Sequence, residues 1–229
     1  MKLIEFENSS ALDTALVIKV TELLIGTINK IGSASLVVSG GRTPLAFFHL
    51  LSQQVLDWSK VVVTLADERW VDADHGDSNE KLVRENLLIN EAHAAEFIPL
   101  KNAAIDAAEG ESQTESDIEL MGQFTIVILG MGDDGHTASL FPGAKTLALG
   151  LDMNSGRTAI AVTPTAAPHQ RMTLTLPRLL NSQQIIIHIS GASKQDILKA
   201  AQAGEDITEL PIRAILNQQV APLLLFWAK

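Results

Sequence analysis

Short runs of β-branched and aliphatic residues alternate along this chain with longer segments whose apolar residues recur every three or four positions. Continuous apolar runs such as 125–129 are typical of strands covered on both faces of a sheet, whereas the wider spacing indicates amphipathic helices. The predicted strands are residues 3–7, 34–40, 61–66, 125–130, 158–163, 184–190 and 222–228, and the predicted helices are 10–32, 43–54, 78–90 and 193–204. This alternation predicts an α/β fold: a doubly wound, mainly parallel, Rossmann-like sheet flanked by helices.

The length of the chain, 229 residues, suits either one large domain or two small ones and is ample for a buried core. We find no internal repeat and no low-complexity tract in the sequence. The only linker-like stretch is the acidic, Gly- and Ser-containing segment 102–117, which we interpret as a surface excursion between a helix and the strand at 125. We therefore expect a single domain over residues 1–229.

Charge and composition narrow the classes of partner. The formal net charge of −10 predicts repulsion of nucleic acids and of anionic membranes, so an anionic ligand would need a local cluster of cations. The lack of cysteine excludes disulfides, thiolate catalysis and cysteine-ligated zinc. The N-terminus shows no apolar signal region and no run of eighteen apolar residues occurs, so we expect a soluble, cytoplasmic protein.

Three polar loops directly follow predicted strands. They are "SGGRTP" (39–44), "ADERWV" (66–71) and "GMGDDGH" (130–136). In an open parallel sheet, ligands bind beyond the carboxyl ends of the strands. We therefore expect these loops to form one binding site.

The third loop matches G-x-G-x-x-G, a pattern often associated with dinucleotide binding. A dinucleotide turn needs a long helix that starts at its third glycine, Gly135, yet Pro142 follows only seven residues later. We therefore favour acid–base chemistry by Asp134 and His136, because histidine exchanges protons near neutral pH. The alternative is that the aspartates are solvated turn residues and that His136 caps a short helix.

The glycine loop could bind phosphate. Gly40 and Gly41 allow close backbone approach, Thr43 would open the next helix, and Arg42 adds a forked cation. An ordinary glycine-rich turn explains the same residues, and the spacing of a Walker motif is absent.

In the second loop, Asp67 or Glu68 could hold substrate hydroxyls and Arg69 could pair with a phosphate or carboxylate. The alternative is a surface ion pair between Glu68 and Arg69 beside a core Trp70. Further along the chain, Arg171 and Lys194 lie at the edges of apolar runs, where they either face solvent or close a phosphate pocket from the far side.

A metal site is not expected. Residues 72–80 resemble the start of an EF-hand, but Gly76 falls at the fifth position instead of the sixth and Val83 stands where the bidentate glutamate belongs. The six histidines show no H-E-x-x-H or comparable spacing.

Five motifs follow one another along the chain: "SGGRTP", "ADERWV" with "SN" (78–79), "GMGDDGHTASLFPG", "HQRMTLTLP" (169–177) and "GASK" (191–194). This series resembles that of 6-phosphogluconolactonases, whose superfamily includes glucosamine-6-phosphate isomerase/deaminases. The resemblance implies hydrolysis of 6-phospho-D-glucono-1,5-lactone to 6-phosphogluconate, without metal or cofactor. The small-molecule phosphosugar lactone would be the only partner, and the oligomeric state is not predicted.

The resemblance also assigns roles. His136 would be the general base, supported by Asp134, with Arg69 at the reaction centre or on the phosphate and Asp67 as a second candidate carboxylate. The phosphate site would comprise Gly40, Gly41, Arg42, Thr43, Arg171 and Lys194. A δ-lactone is an activated ester, so one base and positive charge near the developing oxyanion are enough for its hydrolysis.

Two alternatives remain. The isomerase/deaminase branch carries a glutamate before the proline that follows "DGH", whereas this chain has Phe141, and that branch lacks the Arg-Trp pair after Asp-Glu. A non-catalytic sugar-phosphate-binding module would usually be fused to a DNA-binding helix-turn-helix. Residues 1–38 predict one strand and one helix but no basic recognition helix.

Overall fold

The computed structural model describes residues 1–165 and 167–229. The strands are β1 (Lys2–Phe6), β2 (Ala34–Val38), β3 (Val61–Leu65), β4 (Asp67–Arg69), β5 (Glu96–Ile98), β6 (Phe124–Leu129), β7 (Ala159–Val162), β8 (Arg171–Leu174), β9 (Ser182–Ser190) and β10 (Leu223–Ala228). The helices are α1 (Ser9–Ile31), α2 (Leu45–Ser52), α3 (Asn79–Asn86), α4 (Ala107–Glu119), α5 (Leu147–Leu151), α6 (Leu176–Leu180), α7 (Ala192–Gln202) and α8 (Ile212–Leu216), with short 3-10 turns at Trp58–Lys60 and Asn90–Ala94.

Seven strands form the main sheet, in the order β1-β10-β9-β6-β2-β3-β5, and every neighbouring pair is parallel. The central strands β2 and β6 are buried along their whole length, as their continuous apolar sequences predict. From β2 the chain winds outward to β3 and β5, and from β6 it winds the other way to β9 and β10. The predicted fold class is thus confirmed, and the topological switch between β2 and β6 is where such sheets open a ligand crevice.

Helix α1 shows how the local sequence encodes these elements. Asn8 caps its first turn by accepting a hydrogen bond from the amide of Ala11, and Gly32 ends it with a left-handed backbone at φ 88°. Leu16, Val20 and other apolar residues on one stripe of the helix are buried against the sheet. In the described part of the chain, no helix combines the length and the apolar character needed to cross a bilayer.

A second, antiparallel sheet of three strands, in the order β4-β8-β7, was not predicted. The predicted strand 158–163 is present as β7, but it belongs to this sheet and not to the parallel one. Ala66 joins it to the main sheet, because its amide donates to Val38 at the end of β2 and its carbonyl accepts from Leu174 at the end of β8. Since β4 starts at the next residue, this junction places "DER" at the carboxyl end of β2 in the main sheet.

The interpretation of segment 102–117 as a surface excursion was wrong, because most of it forms α4. Asp106 caps the helix by accepting from the amide of Glu109, and Ala107, Gly110 and Thr114 belong to its buried stripe. The small size and polarity of these residues hid their helical spacing. Next to this stripe, Arg157 forms ion pairs with Glu111 and Glu115 of α4 at 2.6 and 2.8 Å, which fixes the helix against β7.

Candidate active site

A pocket of about 240 Å³ opens beyond the carboxyl ends of β2, β6 and β9, with β4 forming one wall. Seven of the ten predicted site residues line it: Gly40, Gly41, Thr43, Asp67, Arg69, His136 and Lys194. The three loops singled out in the sequence therefore meet in one place. Of the other three predicted residues, Asp134 contacts His136, Arg171 lies in the wall behind Arg69, and Arg42 is exposed and does not line the pocket.

The turn after β6 builds a histidine–aspartate pair. Gly135 adopts φ 74°, a left-handed conformation that lets the chain fold back so that the amide of Gly132 bonds to the carbonyl of His136 at 2.8 Å. One carboxylate oxygen of Asp134 then accepts from both the Nδ1 and the backbone amide of His136, at 2.5 and 3.2 Å. This contact assigns the ring proton to Nδ1, because an ionised carboxylate can only accept, and it leaves the lone pair on Nε2.

The carboxylate of Asp134 is ionised in this arrangement. Partial burial opposes its charge, but the electrostatic attraction of the His136 ring and the hydrogen bonds from that ring and from the backbone amide outweigh this effect, so the pKa of Asp134 is lowered. The pair lies at the edge of the pocket, with the imidazole side chain 29% exposed. The imidazole is therefore accessible to water and held in one orientation.

The structure contradicts the dinucleotide interpretation of this loop. Residues 130–146 form turns and one isolated bridge between Thr137 and Leu140, and the next helix, α5, has only five residues. A helix starting at Gly135, on which a pyrophosphate would rest, is therefore missing from this described segment.

The glycine loop after β2 makes a close backbone contact. Gly41 adopts φ 94°, and Gly40 packs so tightly against the side chain of Asn79 that a Cβ at this position would collide with the amide group. The loop ends at Pro44, which caps α2. Backbone amides before a helix are suited to an anion, so the geometry fits a phosphate but does not by itself identify one.

Alternation along β4 divides "DER" between two faces of the small sheet. Asp67 and Arg69 point to the pocket, and Asp67 accepts a hydrogen bond from Ser139 at 2.5 Å. Arg69 donates to the backbone carbonyl of Asp77 at 2.5 Å. Directly opposite Arg69 on β8 lies Arg171, so two guanidinium groups share one face of an antiparallel pair.

Arg171 is buried, and its Nη1 has no hydrogen-bond partner among the described residues. Burial lowers the pKa of Arg171, and the positive charge of Arg69 adds to the effect, while Asp67 and Glu68 oppose it. The alternative that Arg171 lies on a solvated face is thus wrong. A buried cation with a free donor beside a second arginine is instead suited to an anion in the pocket.

Glu68 points away from the pocket and is 1% exposed. Its carboxylate accepts from the amides of Arg69, Asn79 and Glu80, each at 2.7 Å, and from the hydroxyl of Ser78 at 3.2 Å. Burial raises the pKa of Glu68, although these hydrogen bonds work against the rise. The surface ion pair with Arg69 was therefore a wrong interpretation: Glu68 ties the start of α3 to β4.

Lys194 lies in the first turn of α7, where the helix dipole disfavours a cation. Its ammonium group contacts the exposed carboxylate of Asp133 at 2.6 Å, and its side chain is only 20% exposed. A lysine held at this unfavourable place next to the pocket is suited to compensate the charge of an anionic ligand.

Two further lining residues were missed as site residues. Asn79 donates to the carbonyl of Asp67 at 2.8 Å, while its own buried carbonyl oxygen has no partner in the described chain. His188 on β9 lies beneath the pocket, 3.3 Å from the buried Asp13 of α1. No motif marks His188, and only its odd place within the apolar run "IIIHIS" could have indicated it.

Comparison with known proteins agrees with this geometry. The model of the family "Glucosamine-6-phosphate isomerases/6-phosphogluconolactonase" matches residues 7–224. The chain belongs to this family. Among curated members, a 6-phosphogluconolactonase of Rhizobium meliloti (strain 1021) is 44% identical over 225 residues, covering 97% of each chain, and one of Pseudomonas putida is 39% identical over 227 residues, covering 99% of this chain and 93% of its own.

Solved structures of the family share the fold. A 6-phosphogluconolactonase from Shewanella baltica OS155 superimposes with a TM-score of 0.98 at 43% identity, covering 100% of this chain and 98% of its own. A monomeric glucosamine-6-phosphate deaminase aligns with a TM-score of 0.80 at 18% identity, over 99% of this chain and 97% of its own, which shows only the common fold. The predicted family is therefore confirmed, and both of its branches are built on this sheet.

Proposed function

We propose that this chain is a 6-phosphogluconolactonase that hydrolyses 6-phospho-D-glucono-1,5-lactone to 6-phospho-D-gluconate. The observation that carries the proposal is the oriented His136–Asp134 pair beside a pocket that also contains Arg69 and Lys194. The curated relatives that carry this name support the choice of substrate.

The base is Nε2 of His136. It takes a proton from water as the water oxygen attacks the lactone carbonyl, and the negative charge moves to the carbonyl oxygen. When the tetrahedral intermediate collapses, the ring C–O bond breaks and the imidazolium returns the proton to the leaving alkoxide. Asp134 keeps the ring oriented and stabilises its transient positive charge. The step needs no metal and no cofactor.

Positive charge in the pocket performs two tasks. Arg69 and Lys194, with Arg171 behind Arg69, attract the phosphate of the substrate and stabilise the oxyanion, in a chain whose overall charge is −10. The backbone at Gly40 and Gly41 offers further donors for the phosphate. Arg42, which the resemblance placed in this site, is exposed outside the lining, so we give it no part in the proposal.

The ring of Phe141 favours lactone hydrolysis over isomerisation and deamination. It packs against His136 with the ring centroids 4.3 Å apart. The glutamate that assists sugar ring opening in the other branch would occupy this sequence position. An aromatic ring there cannot exchange protons, and instead it limits the motion of the base.

A direct assay separates the two activities. Purified protein is given the 6-phospholactone or glucosamine 6-phosphate. Acid release from the lactone is followed by pH-stat with its spontaneous hydrolysis subtracted, and ammonia release from glucosamine 6-phosphate is followed by a coupled assay. We expect turnover of the lactone only, and His136→Ala should lower it by about two to four powers of ten. Turnover of glucosamine 6-phosphate alone, or unchanged lactone hydrolysis in the variant, would contradict the proposal.

The phosphate assignment needs a second substrate. Lys194→Ala should raise KM for the 6-phospholactone and leave KM for the unphosphorylated δ-lactone unchanged. Arg171→Ala tests the cation behind Arg69 in the same way. Equal effects on both lactones would show that these cations do not bind the phosphate.

We also propose that residues 1–229 fold as one domain. The family match spans 7–224, and the hydrogen bonds of Ala66 join the two sheets. Calorimetric unfolding should then show a single transition, and two separable transitions would contradict this.

A further inference from the structure

Three potential metal ligands converge at a place that the proposed reaction does not use. They are His75, Asp77 and His169, whose ligand atoms all lie within 4.8 Å of one another. Nε2 of His169 is 3.1 Å from a carboxylate oxygen of Asp77, and Nδ1 of His75 is 3.9 Å from the same oxygen. Two imidazoles and one carboxylate thus surround a single point.

The chain reaches this arrangement from two distant segments. His75 and Asp77 belong to the turn between β4 and α3, whereas His169 lies 92 positions from Asp77, just before β8. His169 adopts φ 68°, a left-handed backbone that few residues other than glycine take without another constraint. This conformation places its ring edge-on to that of His75, with centroids 5.4 Å apart.

The donor set selects the class of ion. Imidazole nitrogens with one carboxylate suit Zn²⁺, whereas Ca²⁺ and Mg²⁺ prefer oxygen ligands only. Tetrahedral Zn²⁺ with bonds of about 2.0–2.1 Å holds its ligand atoms roughly 3.3 Å apart. The His169–Asp77 distance is already close to this value. Nδ1 of His75 now accepts a hydrogen bond from the backbone amide of Asp77 at 3.0 Å, so this bond must be released when the ring turns toward the carboxylate and the ion. The side chains of His75 and Asp77 are 47% and 55% exposed, so water can complete the coordination.

We propose that His75, Asp77 and His169 bind one Zn²⁺ ion at the rim of the pocket. The site is connected to the pocket by one hydrogen bond, because the backbone carbonyl of Asp77 accepts from Arg69. A bound ion would tie the turn that carries this carbonyl to the segment before β8. The charge of the neighbouring Arg69 opposes a cation, so we expect reversible binding and not a permanent structural metal.

The test measures zinc binding directly, on the tag-free chain freed of metal. Zn²⁺ is titrated in competition with a chromophoric chelator, and the melting temperature is recorded with and without zinc. The variants are His75→Ala and His169→Asn, since asparagine tolerates the left-handed backbone and keeps the fold intact. The matched controls are His49→Ala, at an exposed histidine on α2, and His136→Ala, which removes the histidine of the pocket.

We expect one zinc per chain, a rise of the melting temperature with zinc, and a loss of affinity of about tenfold or more in each rim variant. Both controls should bind zinc like the unchanged chain. The proposal is overturned if no zinc binds, if the rim variants bind it unchanged, or if only His136→Ala abolishes binding. Because the readout is binding, it stands apart from lactone hydrolysis, and failure of either proposal leaves the other intact.

Discussion

Replacement of Asp134 by asparagine isolates the charge that supports the proposed base. The same carboxylate oxygen accepts from Nδ1 and from the backbone amide of His136. In Asp134→Asn the backbone amide still needs an acceptor, so it holds the amide oxygen of asparagine at that position. The ring therefore keeps its orientation and its Nδ1 proton, and only the negative charge is lost.

The magnitude follows from the exposure of the pair. A hydrogen bond to a charged group contributes about 1.5–3 kcal/mol. The side chain of Asp134 is 52% exposed, so solvent screening places its contribution near the lower end, at about 1.5–2 kcal/mol. Since about 1.4 kcal/mol corresponds to a factor of ten, we expect kcat for the 6-phospholactone to fall roughly 10- to 30-fold, with little change in KM.

The assay is initial-rate lactone hydrolysis at several substrate concentrations, corrected for spontaneous hydrolysis. Asp196→Asn is the control, because it makes the same change in net charge at a carboxylate that is 78% exposed on α7. In the double variant with His136→Ala, the loss caused by Asp134→Asn should disappear, since no ring remains to be supported. A loss below about twofold in the single variant, or additive losses in the double variant, would refute a role of Asp134 through His136. A loss above a thousandfold would show that asparagine turns its nitrogen to the ring and reverses the tautomer.

Three further predictions concern the pocket and its support, and a fourth concerns the stability of helix α1. Because the pKa of Asp134 is lowered, its carboxylate stays ionised above about pH 5, so any loss of kcat on acidification in this range should have a one-proton slope, and a two-proton slope would contradict this. Gly132→Ala should lower kcat about 100-fold at unchanged stability, because the added Cβ would meet the ring of His136 and displace it. Unaltered kinetics would show that the displaced ring can still act from another position. Glu68→Gln should lower the free energy of unfolding in urea by about 2 kcal/mol, since the NH₂ group of glutamine would face the hydroxyl and amide donors from which the carboxylate now accepts. An unchanged unfolding midpoint would show that these hydrogen bonds do not stabilise the fold. Gly26→Ala should stabilise the chain by about 1 kcal/mol, or roughly 2–4 °C in melting temperature, because this exposed glycine lies within α1 with no atom near the added Cβ. A lower melting temperature would contradict this prediction.

The inner strands of the main sheet were predictable because they are largely buried on both faces, whereas its short, partly exposed edge strand β5 was missed. Runs such as that of β6 contain no polar interruption, and the glycines and prolines that follow them mark where each strand ends. The small sheet was not predictable from such signals. Its strands have three or four residues each, and β4 carries two acids and an arginine whose partners on β8 lie about a hundred positions away.

The site was predictable where its residues follow main-sheet strands. The turn with Asp134 and His136 and the glycine loop both follow such strands, and their motifs indicated the same two loops. The rule says nothing about contacts between distant segments, so it could not place Arg171 behind Arg69 or bring His169 to Asp77. It also could not foresee that Arg42 is exposed and does not line the pocket, whereas its neighbours in the glycine loop do.

The facing arginines of β4 and β8 have a practical consequence for work with this protein. In the unliganded state their mutual repulsion is relieved only in part, so small tetrahedral oxyanions from the medium are attracted to the same spot. Sulfate and inorganic phosphate should therefore act as competitive inhibitors that also protect against heat. Rates are best measured in a zwitterionic buffer, and crystals grown from ammonium sulfate should trap an ion at the proposed phosphate site.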